Sequence, residues 1–533
     1  MPPGSSSTRV SATASEVLAG FRPQSSIAQP VAFCPFSGLK EEFMPRFPLP
    51  KSLLLASLML TPGFSLCSTV ASAQEEIPVP VIDAADIPTS PLADELFAPA
   101  PIADPLGSPA FTTCPPGSGL GSELPPASPF AGSLFERPKL TGNWLGLRDG
   151  LALNGIALDV SSTNFYQGVA SGGINESFEY AGRGDYYLNV DGQKAGLWAG
   201  SFITLHGESR WGETINSNTG AIMPANVGML FPKPQGTVTA LTGVKFTQAL
   251  SENFAVFGGK LNMFDELKQP YASGRGVDSF MNAGLTFPIT LARTIPYSTL
   301  GAGFAVMENL QPVFTFVVLD TNTTSTTTGF ETFFDNGATL LAMANRPVEL
   351  FGLPGHQGIG GSYSTGQYND LSPTPWYDPN TGGFGVSTGL TRGSWSIFYL
   401  ADQALWVDQN NPQRSWGLFG NAGMADNGPS AIRWSTYVGL GGSSPLVSRP
   451  LDSFGLGYFY VGYSDPVHNL APRLMNVGND QGVEMFYNIG VTPWFHLTPD
   501  LQVLDPARSR TLPPNARDID TALVLGLRAK IDF

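Results

Sequence analysis

Residues 521–533, TALVLGLRAKIDF, alternate strictly up to a final phenylalanine. Leu523, Leu525, Leu527, Ala529, Ile531 and Phe533 fall on one side, and Ala522, Val524, Gly526, Arg528, Lys530 and Asp532 on the other. Successive side chains of an extended strand point to opposite faces, so this stretch has one apolar face and one small or charged face. A soluble sheet with one wet face reads the same way. An apolar phase that runs to an aromatic residue with no polar tail fits a strand closing against another strand in lipid.

The alternation recurs from residue 155 onward in short segments split by Gly, Pro, Asn and Asp clusters. Ile203, Leu205 and Trp211 oppose Thr204, His206, Glu208 and Arg210, with Phe202 out of phase. Ile432, Trp434, Val438 and Leu440 oppose Arg433, Ser435, Tyr437 and Gly439. Val483, Met485, Tyr487, Ile489 and Val491 oppose Glu484, Asn488 and Thr492, and Leu497, Leu501 and Val503 oppose His496, Asp500 and Gln502. A polar second face in strand after strand predicts a wet interior. About sixteen such segments of about 24 residues fit between 155 and 533, enough for a spanning strand and a connection each. Short turns such as 249–254 alternate with long segments such as 212–235 and 263–296, the asymmetry of a barrel with tight turns on one rim and loops on the other. The expected fold class is all-β: a transmembrane antiparallel β-barrel of about sixteen strands. A short N-terminal helix is expected ahead of it, with Trp144, Leu147 and Leu151 on one face packed on the barrel end. No apolar run reaches the roughly 18 residues of a spanning helix.

Composition narrows the function. Only 13% of residues are charged and the formal net charge is -15, without a basic stripe, which argues against a nucleic-acid partner. The hydrophobic share of 42% argues against broad disorder. The cysteines, Cys34, Cys67 and Cys114, all precede the strand-rich body, so no disulfide framework or Cys-based zinc site is expected in it. The histidines, His206, His356, His468 and His496, have no metal-ligand spacing, so neither a metal nor a cofactor is expected.

The front of the chain carries an address. From Met44, Arg46 and Lys51 precede an apolar stretch, Leu53 to Leu60, and Ala71-Ser72-Ala73 forms a cleavage site. Residues 44–73 therefore read as a secretory signal peptide. Residues 1–43 read as lying upstream of the true start, or as disordered; Lys40-Glu41-Glu42 has purine-rich codons at the spacing of a ribosome-binding site before Met44. Residues 74–138 are rich in Pro, Ala and acids and read as a disordered linker. The barrel is expected over 139–533. A secretory signal, membrane-type alternation and no apolar helix together point to the outer membrane of a Gram-negative-type bacterium.

The segment KLTGNWLGLRDGLALNGIALDV, 139–160, resembles the opening of the carbohydrate-selective porins of the OprB type. Leu140, Thr141, Gly142, Trp144, Gly146, Arg148, Leu151, Gly155 and Ile156 match that pattern, and Leu145 departs where the family often has Gly. FTQALSENFAVFGGKLNMFDE (246–266), SRPLDSFGLGYFYVGYSD (448–465) and EMFYNIGVTPWFHLTPDLQVLDPARS (484–509) extend the resemblance over nearly all of 139–533. The resemblance implies a sixteen-stranded porin for passive uptake of small sugars, with lipid outside. It also implies a terminal aromatic strand, ending in Phe533, that closes the barrel and is read by the barrel assembly machinery. Monomer and homotrimer are both open.

The polar phases nominate His206, Glu208, Arg210, Lys245, Lys260, Arg433, Glu484, Arg528 and Lys530 as pore-lining. Two rival functions have sequence support. GVSTG, 385–389, matches the nucleophile-elbow pattern of serine hydrolases, but lies in what reads as a Gly-rich loop without the required helix after it. A secreted sugar-binding β-sandwich would share the alternation, and a general diffusion porin would share the whole architecture.

Overall fold

The computed structural model describes residues 128–533 apart from 234, 273, 310, 379–382, 470–476 and 512–515, with backbone alone for 373–388. The expected signal peptide, most of the linker and the three cysteines lie outside the described residues.

Alternation becomes sixteen strands. They are β1 (Ile156–Ser171), β2 (Phe178–Asp191), β3 (Ser201–Gly212), β4 (Val238–Ser251), β5 (Phe254–Asn262), β6 (Ser298–Glu308), β7 (Gln311–Asp320) and β8 (Ala338–Leu350). There follow β9 (Leu353–Asp378), β10 (Gly383–Val407), β11 (Ser415–Ala425), β12 (Ile432–Ser443), β13 (Ser453–Tyr463), β14 (Asp480–Thr492), β15 (Phe495–Asp505) and β16 (Ala522–Asp532). Each strand pairs with its neighbours in sequence, and β16 returns to β1 to close the barrel. The β1–β16 ladder is antiparallel, from Ser161 opposite Asp532 to Ser171 opposite Leu523. Closure leaves no open sheet edge, and it excludes a β-sandwich. β14 and β15 are joined through residues 493–494 and β4 and β5 through 252–253, whereas 213–237 and 263–297 are long connections on the opposite rim.

The two faces follow the expected phase at most positions. Leu525, Leu527, Val483, Met485 and Val491 are exposed on the outside, while Arg528, Val524, Glu484, Asn488 and Thr492 are buried inside. Trp198 and Phe246 meet on the outer surface, rings 6.1 Å apart. At Ile432 the phase fails. The β12–β13 register slips between Ile432 and Trp434, so Arg433 sits in a bulge and Ile432 turns into the interior beside Tyr463.

The interior is more apolar than expected. Loops 213–237 and 263–297 fold back into the barrel and bring their own core with them. Phe280, Leu285 and Ile289 pack with Phe419, Tyr437, Phe459 and Phe486 from the wall. Leu291 and Ile295 pack with Val317, Leu319, Leu341 and Phe398. These inward wall positions are core for the loops, which is why several strands are apolar on both faces.

A 3-10 turn (Trp144–Gly146) and a helix α1 (Leu147–Leu153) precede β1. The packing face differs from the expected one: Leu147 is 58% exposed and Arg148 only 5%. The Arg148 guanidinium lies over the Trp144 ring at 4.1 Å and donates to the Gly142 carbonyl and to the main-chain oxygen of Phe533, both at 2.8 Å. The Phe533 N–H donates to the Val160 carbonyl at 2.8 Å, so the terminal residue sits at the β1–β16 seam. The GVSTG segment is also not a loop; it lies within β10 and lacks the strand–turn–helix context of an elbow.

Leu525→Arg should lower the stability of the folded barrel by up to about 2–4 kcal/mol if that position lies near the bilayer midplane. Chemical unfolding in lipid vesicles measures it; a loss below about 1 kcal/mol would contradict an outward Leu525 in the hydrocarbon layer.

Candidate functional site

The inward phases of β2 and β3 bring charged residues face to face. The register sets Arg183 opposite Arg210, Asp185 opposite Glu208 and Tyr187 opposite His206. Charges so close must be paired once buried. Arg183 bridges Asp185 at 2.6 Å and also pairs with Glu208. The Tyr297 hydroxyl donates to Glu208 at 2.6 Å, and Asn262 Nδ2 donates to it at 3.2 Å.

Loop 263–297 completes this network from inside the barrel. His206 Nδ1 lies 2.7 Å from Asp265 and its Nε2 3.3 Å from Asp185, while Tyr187 stacks on the imidazole at 3.9 Å. Arg275 reaches Asp265 at 3.2 Å and Asp185 at 3.5 Å. Asp185, His206 and Glu208 have ligand atoms within 4.8 Å of one another, a spacing a metal ion could use. The positive charge there is supplied by Arg183 and Arg275, so the donor set fits an ion-pair network.

The far side of the loop is fastened to β16. Lys530 pairs with Asp278, and Arg528 donates to the carbonyls of Gly276 at 3.0 Å and Ser279 at 2.6 Å. On β4, Lys245 pairs with Glu266 at 2.7 Å, and its amine lies 4.7 Å from the Phe257 ring centre. The loop thus spans the interior, with pairs of opposite charge at both ends.

The nominated residues fall into three groups. His206, Glu208, Arg210, Glu484 and Arg528 are on inward phases but at most 1% exposed, because the two loops cover them. Arg210 donates to the Gly236 carbonyl at 2.9 Å, inside the same covering loop. Lys245 and Lys530 keep partly accessible side chains, 26% and 15%. The remaining two depart from the expected phase. Lys260 pairs across the ladder with Val244 and Leu300, the outward phase; its amine donates to the Leu241 and Thr327 carbonyls, both at 2.7 Å, and residues of the 321–337 connection cover it. A Gly at position 259 with φ 129° marks where alternation read from the sequence goes astray. Arg433 lies in the β12 bulge and donates to the Ala425 carbonyl.

Strand alternation does not mark the loop residues. Asp265, Glu266, Arg275 and Asp278 border the accessible interior, with side chains 15–27% exposed. No periodicity marks a loop residue; the one sequence signal was the length of 263–296 itself.

Burial alone would raise the Asp278 and Asp265 carboxyls. Lys530 and Arg528 beside Asp278, and Arg275 and His206 beside Asp265, outweigh it and hold both below the usual carboxylate range. A carboxylate depressed in this way stabilises the docked loop fully above its unfolded pKa of about 3.9, and the contribution is lost as pH falls through the lower docked value. A double-mutant cycle of Lys530→Gln and Asp278→Asn, read by thermal unfolding, should give a coupling of about 1–3 kcal/mol, constant between about pH 7 and about pH 5. A coupling that already fades at about pH 5 would contradict the depressed carboxyl.

Comparison with known proteins fits this architecture. Residues 142–533 match the profile of "Carbohydrate-selective porin, OprB family". The chain is 26% identical to Porin B of Pseudomonas aeruginosa over 199 residues, 34% of this chain and 42% of that protein, so the match spans less than half of that relative. It is 23% identical to the putative porin QuiX of Acinetobacter baylyi over 445 residues, 75% of this chain and 94% of that one. The fold is similar to the high-pH structure of Pseudomonas putida OprB, with a TM-score of 0.63 and 20% identity over 75% of this chain and 100% of that one. With its family profile matched from the turn before α1 to the last residue of the seam, the chain belongs to the OprB family of carbohydrate-selective porins.

Proposed function

We propose that the chain is an outer-membrane channel of a Gram-negative-type bacterium through which small sugars diffuse passively into the periplasm. The observation that carries this reading is the set of ion pairs bordering the accessible interior: Arg275 with Asp265, Lys245 with Glu266 and Lys530 with Asp278. A sugar offers many hydroxyls and no charge. A wall carrying both carboxylates and cations can accept from it and donate to it at once. Affinity should be weak, millimolar or about -4 kcal/mol, because a channel must release what it binds. The outward Leu, Val, Met and aromatic residues fit lipid. Family and fold favour a channel over an enzyme. Phe533, seated at the seam, fits a terminal strand delivered by the barrel assembly machinery. A homotrimer and a monomer are equally compatible with this reading.

A second reading rests on the same pairs. Because each cation already has a carboxylate partner, the pairs could serve only to keep the lumen wet and set ion preference, as in a general diffusion porin. Planar-bilayer recordings with sugars as blockers separate the two. In the double variant Lys245→Gln, Lys530→Gln, sugar block should weaken about tenfold, about 1.4 kcal/mol, at similar ion conductance. A change in ion selectivity with sugar block intact would leave the general diffusion pore.

A further inference from the structure

Alternation turns Glu484 and Gln502 of the closing motif inward, where both are buried against the loops inside the barrel. Glu484 is fully buried. Its two carboxylate oxygens accept from the backbone N–H groups of Met281 and, at 2.8 Å, Asn282, both in the middle of loop 263–297. Directly opposite it on β15, Gln502 accepts from Asn282 Nδ2 at 3.1 Å and donates to the Ala225 carbonyl of loop 213–237 at 2.9 Å. The two loops are in turn joined at this point, by Val227 N–H to the Met281 carbonyl at 2.8 Å and Ala283 N–H to the Pro224 carbonyl at 2.9 Å.

A second observation comes from the neighbouring strand. On β13, Gly455 and Gly457 leave holes in the inner wall into which the loop inserts side chains. A Cβ on Gly455 would meet the Phe486 ring of the wall at 2.3 Å and the Phe280 ring of the loop at 2.7 Å, and one on Gly457 would meet the Leu285 side chain at 2.8 Å. From the loop side, a Cβ on Gly284 would meet the Phe459 ring at 2.5 Å. Phe280 fills its seat edge-to-face against Phe486, with ring centres 5.0 Å apart. The wall is therefore shaped for this loop in this position: polar acceptors hold its backbone, and missing side chains admit its apolar ones.

We infer that Glu484, Gln502 and the glycine seats Gly455 and Gly457 form a docking station that positions loop 263–297 across the lumen, and so sets how narrow the channel is. These are positioning residues: they act through Asp265, Glu266, Arg275 and Asp278, which the loop carries to the accessible interior. The wall of a sixteen-stranded barrel encloses an aqueous channel, so the narrowing must come from what is held inside it. Glu484 suits the task because a carboxylate can take two backbone donors that would otherwise be buried and unpaired. The inference rests on the channel reading given above.

The test is single-channel conductance in planar bilayers, with thermal unfolding of the same preparations. Glu484→Gln keeps the shape but turns an amide N–H2 toward a backbone donor. Gly457→Ala adds one methyl group to the seat of Leu285, and Gly457→Leu fills it. Conductance should rise about twofold or more in Glu484→Gln and Gly457→Leu, with noisier open states, and less in Gly457→Ala, while the barrel stays folded. A purely structural role would lower the unfolding temperature and leave conductance and sugar block as in the unsubstituted protein; that result, in variants that fold, would overturn the inference. If Glu484→Gln and Gly457→Leu fail to fold, unchanged conductance in the milder Gly457→Ala overturns it. An unsubstituted protein that forms no channel would overturn the proposed function itself, a distinct outcome from unchanged variants of a conducting one.

Discussion

The antiparallel ladder between β1 and β16 carries the rest of the architecture. Without it, two strands would expose rows of unpaired N–H and C=O groups, which in a bilayer cost several kcal/mol each. With it, wall residues face outside or inside, and a two-residue period sorts them wherever the ladder keeps step. The segment before β1 reinforces this seam: Arg148, buried beneath Trp144, holds the main-chain oxygen of Phe533, and the Leu140 N–H donates to the Asp532 carbonyl at 2.8 Å. The arginine of the opening motif thus ties the two ends of the barrel together.

Closure at sixteen strands creates the next problem, a lumen too wide to discriminate among small solutes. The chain answers it with two loops that return into the barrel and bury Met223, Met229, Phe280, Leu285 and Leu291 there. Such loops need fixed positions. Charged groups at one end, carbonyl-seeking guanidinium at the other, and glycine hollows between them supply those positions. The charges left at the margin of this arrangement are the ones a solute would meet.

Much of the barrel was legible in the sequence because strand periodicity is local. Leu525 and Leu527 outside, with Arg528 and Glu484 inside, follow from counting by two. The same count failed wherever the ladder breaks step. The bulge at Arg433 turned Ile432 inward, and the irregular stretch around Gly259 moved Lys260 to the outward phase. The site was less legible than the wall. Alternation picks out wall charges such as His206 and Glu208, but whether these meet water depends on loops folded over them from distant parts of the chain. Nothing in the local spacing of Asp265, Arg275 or Asp278 reveals that they face β2, β3 and β16; that is set by packing of Phe280 and Leu285 on the far wall. The apolar inner face was missed for the same reason, since Phe459 and Phe486 look misplaced until the loop that covers them is known.

We propose that the loops held inside the barrel make it selective for uncharged, hydroxyl-rich solutes. Swelling of vesicles containing the purified protein, driven by solutes of matched size, tests it most directly. Monosaccharides should enter several-fold faster than equally large neutral solutes with few hydroxyls, and faster than charged ones. Equal rates for all solutes below a common size limit would contradict it and leave a sieve without chemical preference.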